Sequence, residues 1–526
     1  MSETTPEIPK SERRPPLRWK LIVPQILLLA ALAAWVLLVQ RPVGWPGEWV
    51  IEVYGLIYPA RFLLAPALAM IGFGGLIAYL WRSMRREKIE SHRRALAWSV
   101  AVAMTVGAWM LQVGLWSVAP DSVSLLAAIQ LSDVSTGYLS EAMRIDHLPT
   151  YLRTYVEEMP RMAEHVATHP PGAVLFFYVV RQLADAVPAL SRAALVAGST
   201  AVSTTIPELA ADVGRYPTVV WQGHEGLAVA ILGSWLLGAA GALVPLVTFA
   251  ALRRWLGFDR ALAAAALLAL TPGILLYFAT LAQLMILFSA VLLAALVASQ
   301  RHVTWTAVAG LVAAAALFVS LSALALVALA GIFLLLRASR QVGESADLSW
   351  SATPSVFTPL LAFGAGLLVG LGLWYAAGVN AVGVFAQGLG AHAELTGPAS
   401  FRSYWIWVWM NFVEFAIFLG LPLTVLVVAS VPGMIRALQR KAGMMLPAYL
   451  GMTAVIALLL LDLSGVVRGE TGRLWMLFAP WLAAGVAPTV MDEGGSCWRL
   501  VAIVCALTGI QLLLMAWTMQ PIMRPF

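Results

Sequence analysis

The chain has 526 residues, of which 61% are hydrophobic and 11% charged, with a net charge of +6. A soluble domain carries about 25% charged residues, so the composition excludes a soluble globular protein. No basic segment with interleaved aromatics supports nucleic-acid binding. Apolar runs of 18 or more residues recur, and roughly 20 suffice for one helical crossing of a bilayer. The expected fold class is therefore an all-α polytopic membrane protein.

Residues 1–20 form a polar, proline-rich tail. Lys10, Arg13, Arg14, Arg18 and Lys20 place it in the cytoplasm. The apolar run at about 21–40 ends without a small-residue cleavage site, so it reads as a retained span and not a signal peptide. A short segment with Glu48 and Glu52 leads to a second span at about 57–81. "RSMRREKIESHRR" then returns the chain to the cytoplasm, and a third span at about 95–117 ends outside. Residues 118–224 form one long polar region on that outer side. Its run 173–183 is too short to cross and reads as an interfacial or re-entrant helix.

Later spans are expected near 226–251, 261–278, 280–299, 303–319, 320–336, 357–378, 405–431, 445–462, 474–490 and 499–520. The basic clusters Arg253/Arg254/Arg260, Arg301, Arg337/Arg340 and Arg436/Arg440/Lys441 then all fall inside, with Arg61 the one exception to the pattern. The expectation is about 13 spans, an N-terminus inside and a C-terminus outside, in the cytoplasmic membrane. The loop 341–356 reads as polar and cytoplasmic. Cys497 and Cys505 provide no disulfide framework.

The polar chemistry collects outside. Read as helix, "DVSTGYLSEAMR" stacks Asp133, Gly137 and Glu141 on one face, with Tyr138 and Arg144 beside them. The glycine would let a ligand approach the backbone between two carboxylates, and a carboxylate just outside a membrane suits a general base. The same acids also fit plain solvated loop charges. In "EHVATHPPGAVLFF", His165 and His169 stand four apart and the double proline launches the next helix at a fixed angle. An imidazole at the positive end of a helix suits an anion such as a lipid phosphate. The same pair with Glu164 would suit a metal, so a divalent ion stays open, as does a purely structural turn.

These stretches, together with an external loop directly after a span, resemble the GT-C superfamily of integral membrane glycosyltransferases, which includes protein O-mannosyltransferases and lipid A aminoarabinose transferases. The resemblance covers roughly residues 95–490 in layout. Residues 21–94 would then be two extra spans with a basic loop, and 491–526 a last span and external end. It implies that Asp133 is the catalytic base, that the motif at His169 opens a juxtamembrane helix, and that the donor is a sugar on a polyprenyl phosphate. The acceptor would be a lipid, glycan or protein, and inversion at the anomeric carbon is implied. Two departures stand out. Val134 replaces the second acid of many relatives, which leaves Glu141 as its candidate. Gln283 stands where many relatives have an acid in an external turn.

Further along, Glu470 and Arg473 lie three apart at the outer membrane edge, where Arg473 suits a phosphate and Arg468 is a second candidate. A snorkelling arginine paired with Glu470 explains the same pattern. His224 and Glu225, and His392 with Glu394 and Arg402, are expected to line the same cavity. Trp405, Trp407 and Trp409 read as an aromatic belt or as sugar-stacking rings, and Asn411 and Glu414 follow within the span. A transporter or lipid flippase is the rival reading. It would place ionisable groups near the bilayer midplane, where only Glu414 stands here. A non-catalytic scaffold of the same fold is a third.

Overall fold

The computed structural model describes residues 18–53, 63–116, 121–344, 353–396, 402–440, 445–491 and 498–519. Lys10, Arg13, Arg14, Arg61, Lys441, Cys497 and much of the loop 341–356 lie outside the described residues. In chain order the helices are α1 (Trp19–Ala34), α2 (Leu64–Arg86) and α3 (Glu90–Trp116). The long polar region supplies α4 (Ser122–Leu131), α5 (Tyr138–Met143), α6 (Leu148–Glu158), α7 (Glu164–Ala167), α8 (Gly172–Ala186), α9 (Pro188–Ala201) and α10 (Ile206–Gly214). Then follow α11 (Gly223–Ala269), α12 (Pro272–Leu276), α13 (Ala282–Ala298), α14 (Thr304–Val319), α15 (Leu324–Glu344), α16 (Thr353–Ala376) and α17 (Ala381–Thr396). The last are α18 (Tyr404–Leu419), α19 (Leu421–Arg440), α20 (Met445–Leu463), α21 (Thr471–Leu474), α22 (Ala479–Val490) and α23 (Trp498–Thr518).

Among the described residues, nine helices are long and apolar enough to cross a membrane, or ten if the bent pair α8–α9 is one span. The chain is an all-α multi-pass membrane protein. Its outer surface agrees with that solvent: Leu64, Leu68, Ile71 and Tyr79 of α2, and Leu361, Leu368, Val369 and Leu373 of α16, are exposed. Such continuous apolar surface fits lipid and not water.

Helices in lipid gain little from hydrophobic exclusion and depend on close packing at small residues. The α14–α16 pair is built this way. A Cβ on Gly310 would run into the Phe363 carbonyl, and one on Gly366 into the Ala307 carbonyl. Gly364, two residues away, meets open space.

Several expected segments are broken by local backbone. The spans expected at 226–251 and 261–278 are continuous in α11 except for Gly257, at φ 76° and ψ 170°. The helix then ends at Ala269, because Thr271 and Pro272 start the separate turn α12. The single span expected at 405–431 is two helices. Gly420, at φ 98° and ψ 119°, separates α18 from α19. The backbone groups freed there are met by one side chain of α23: Leu421 N–H donates to Gln511 Oε1 (2.8 Å), and Gln511 Nε2 donates to the Ile417 carbonyl (2.7 Å). The run 173–183 is the helix α8, bent by 105° against α9.

Two regions read as plain connections carry structure. Residues after α1 form a hairpin, β1 (Val43–Trp45) and β2 (Trp49–Ile51), with Trp45 opposite Trp49. The stretch around His392 is α17, which packs on α6 and α7.

The arginines of several short connections lie together at one end. Arg18 Nη1 donates to the Thr489 carbonyl (2.6 Å) and Arg260 Nε to that of Met491 (3.3 Å). Arg93 pairs with Asp259 at 3.3 Å. Arg253 lies over Trp98 at 4.9 Å, and Arg301 over Trp255 at 6.0 Å. α3 and α11 run from this end to the α4–α10 region, where α4 packs on α11 and Ser132 bridges Val219.

Gly366→Ala is expected to lower the melting temperature in detergent, by about 1–3 kcal/mol of stability for an overpacked contact. Gly364→Ala should leave it unchanged. Equal melting of the two variants would refute the packing assignment.

Candidate functional site

The segment after α4 is a turn and not a helix. Ser132 pairs with Val219 across the chain, its Oγ donates to Thr218 Oγ1 (2.9 Å), and it accepts the Ser135 N–H (3.1 Å). The N–H groups of Thr136 and Gly137 both donate to the Ser132 carbonyl. Only after Gly137, at φ 69°, does α5 begin. The expected helical face of Asp133, Gly137 and Glu141 is therefore corrected: Ser and Thr satisfied the backbone locally, which competes with helix. Gly137 leaves no gap for a ligand, since a Cβ there would stand 2.6 Å from that of Ala163.

The two acids still meet, through Arg144. Its guanidinium lies 3.4 Å from Asp133 Oδ2 and 3.1 Å from Glu141 Oε2. The other oxygen, Asp133 Oδ1, is buried with no hydrogen-bond partner. A buried carboxylate oxygen without a partner is costly to leave that way. Val134 beside it is exposed.

The elbow after α7 is tied down from three sides. The Tyr155 hydroxyl donates to the His169 carbonyl (2.9 Å). Thr168 Oγ1 donates to the His165 carbonyl (3.1 Å) and lies 3.0 Å from His169 Nδ1. The hydroxyl proton is used on the carbonyl, so Nδ1 carries the ring proton and Nε2 presents a lone pair. Tyr138 stands edge-on to the imidazole, ring centres 5.9 Å apart. Gly172 completes the elbow, because a Cβ there would run into the Phe318 carbonyl at the end of α14. The start of α8 is thus used in packing against α14.

Burial, with the neighbouring His165, Arg473 and His392, pushes His169 down to about 3. Burial and Arg473 lower His165, against the opposing charges of Glu470 and Glu164. Both imidazoles are neutral at pH 7. The imidazole expected to face an anion at the helix mouth is therefore a neutral one, since desolvation disfavours the charged form.

The loop between α20 and α21 is held by α18. Asn411 Nδ2 donates to Asp462 Oδ1 and the Val467 carbonyl (both 2.9 Å), and its Oδ1 accepts the Gly469 N–H (2.9 Å). Thr471 Oγ1 donates to the Asn411 carbonyl (2.9 Å), and Gly472 N–H to Glu414 Oε1 (3.0 Å). Between these clamps Glu470 adopts a left-handed backbone, φ 59°. Its carboxylate contacts Arg473 directly and Arg402 at 3.8 Å. Burial would raise the Glu470 carboxyl, but Arg473, then Arg402 and His165, outweigh it and hold it low. The ion pair stays charged, with two guanidinium groups for one carboxylate.

Arg473 also acts electrostatically on Tyr138, Tyr277, His165 and His169. Residues from the long polar region, the α12 turn, α17 and α21 are thereby brought together. His392 joins through His169. Tyr155, Tyr277 and Thr168 belong to this cluster and had no sequence signal beyond their residue type.

Other candidates lie elsewhere. Arg468 Nη1 donates to the Arg402 carbonyl (2.7 Å) and Nε to that of Gly465 (3.1 Å), so it shapes the loop. Glu225 pairs with Arg181 (3.3 Å), which also donates to the Met143 carbonyl, and His224 packs edge-on to Trp221. Both are exposed residues outside the cluster. Glu394 is exposed as well. Trp405 and Trp409 are exposed, as a belt requires, whereas Trp407 is buried and donates to Glu48 Oε2 (2.7 Å). Gln283 is wholly buried, donating to the Ile274 carbonyl (2.9 Å) beside Gln112, so it closes the α12 turn from within. Among the described residues no group of three His, Cys, Asp or Glu stands ready for a metal. Compared with family models, curated proteins and solved structures, the chain matches none.

A histidine lowered to about 3 binds fewer protons folded than unfolded, where it titrates near 6.5. Its contribution to stability is complete above pH ~6.5 and is lost as pH falls from there toward ~3. The melting temperature should therefore drop between pH 7 and pH 5, and His169→Asn should flatten that slope. An unchanged slope in the variant would assign the pH dependence to other groups.

Proposed function

We propose that the chain is a membrane glycosyltransferase of GT-C type, moving a sugar from a polyprenyl-phosphate donor to an acceptor outside the cytoplasmic membrane. The observation that carries this reading is the gathering of a net positive Arg402–Glu470–Arg473 group with neutral His165, His169 and the phenol of Tyr138. Asp133, with one unpaired carboxylate oxygen, lies five residues before Tyr138 on the turn that leads into α5. A cationic fork beside a base is what a displacement at a phosphate-linked carbon needs.

Asp133 takes the proton of the acceptor hydroxyl, with Arg144 holding its second oxygen and joining it to Glu141. The acceptor oxygen attacks the anomeric carbon as the bond to the phosphate oxygen breaks, with inversion. Negative charge grows on the leaving phosphate, and Arg473 is the group in place to stabilise it. His169 Nε2 accepts a hydrogen bond from a sugar hydroxyl.

The same reading sets the topology at 13 crossings, with α18 and α19 together making one, the N-terminus cytoplasmic and the C-terminus external. It is supported by the gathering of Arg18, Arg93, Arg253, Arg260 and Arg301 at one end of the bundle.

The test is sugar transfer from polyprenyl-phosphate sugars in nanodiscs. Asp133→Asn should lose about 10²–10⁴-fold in turnover and keep the thermal stabilisation given by polyprenyl phosphate. Arg473→Ala should lose that stabilisation. Movement of lipid across the bilayer without transfer would favour a transporter. No response to any carrier lipid by a folded sample would favour a scaffold.

A further inference from the structure

The hairpin β1–β2 belongs to the two extra N-terminal spans, yet its contacts converge on the late external loop. Glu48 Oε2 accepts the backbone N–H of Ser403 (2.8 Å) and the indole N–H of Trp407 (2.7 Å). A carboxylate there also complements the N-terminal end of α18. Trp49 lies over the Arg402 guanidinium at 5.2 Å, within range for a cation–π contact. Gly469 sits under the same indole, since a Cβ on it would stand 3.0 Å from Trp49 Cδ1. The hairpin itself is closed tightly, because a Cβ on Gly44, at φ 126°, would run into the Trp49 carbonyl. Its far side is tied as well, through the bridge between Val53 and Met519.

These contacts bear on charge. Glu470 is shared between Arg402 and Arg473. Of the three side chains Arg473 keeps the largest exposed fraction, 33%, against 22% for Arg402 and 26% for Glu470. With Arg402 in place, part of the Glu470 charge is engaged away from Arg473. With Arg402 released, the carboxylate neutralises Arg473 alone.

We propose that the β1–β2 hairpin is a positioning element of the anion site. By fixing Arg402 on Glu470, Glu48 and Trp49 leave Arg473 with the excess positive charge that receives the donor phosphate. The inference rests on the glycosyltransferase reading for the identity of that anion. The two N-terminal spans are thus part of the working site and not an appendage to it.

The experiment measures the affinity of the full chain in nanodiscs for a polyprenyl monophosphate, and kcat and KM for the sugar-charged donor. The variants are Trp49→Ala, Glu48→Gln, Arg402→Ala, the Trp49→Ala/Arg402→Ala double and Arg473→Ala. Glu48→Gln keeps an acceptor for both donors, so its melting temperature should stay near wild type while its charge is gone. Trp49→Ala and Arg402→Ala should each weaken binding roughly tenfold, the scale of a direct side-chain coupling, and raise KM with kcat little changed. The double variant should bind no worse than Arg402→Ala, because both act through one contact. If Trp49→Ala and Arg402→Ala bind the phosphate like wild type while Arg473→Ala does not, the hairpin is structural and the proposal is wrong. If Arg473→Ala also binds like wild type, the anion site itself fails, and this proposal with it.

Discussion

Sharing of one carboxylate by two guanidinium groups at the membrane edge is the constraint from which the rest of the site follows. A buried ion pair repays its desolvation only with good geometry and further hydrogen bonds. Glu470 meets that condition through a loop whose backbone is held group by group. Asn411 secures residues 467 and 469, and Glu414 secures 472. Those clamps also hold the left-handed backbone at Glu470, which a non-glycine residue adopts only under such constraint. The polar residues inside α18 therefore serve the loop above them, which is why a span otherwise rich in Trp and Phe carries an Asn and a Glu.

A similar economy governs the other half of the site. Thr136, Tyr155 and Thr168 donate their hydroxyl protons to backbone carbonyls, and Ser132 donates to the Thr218 hydroxyl. This ties down the Asp133 turn and the His169 elbow. Burial within the same packing keeps His165 and His169 neutral.

Much of this was legible in the sequence. Each of the nine described helices long and apolar enough to cross a membrane overlaps a span expected from hydropathy, and the arginines that gather at one end were visible as short loops. The Glu470–Arg473 spacing and the double proline marked two parts of the site because both obey local rules. What stayed hidden was non-local. Nothing near Asp133 announces that Ser132 pairs with Val219 and so stops a helix that the spacing to Glu141 invites. Trp407 cannot be told from Trp405 and Trp409 until Glu48 is seen beneath it. Glu225 looks like Asp133 and Glu141 in type and setting, and only the chain's path assigns it to Arg181.

The break at Gly420 has a consequence for how the protein comes into being. Its exposed amide and carbonyl are met by Gln511, a residue about 90 positions later in the chain. Without α23 the Leu421 N–H at the α18–α19 junction would lack its acceptor in a medium that offers no water to satisfy it. A chain stopped before α23 would hold every residue of the site without that joint.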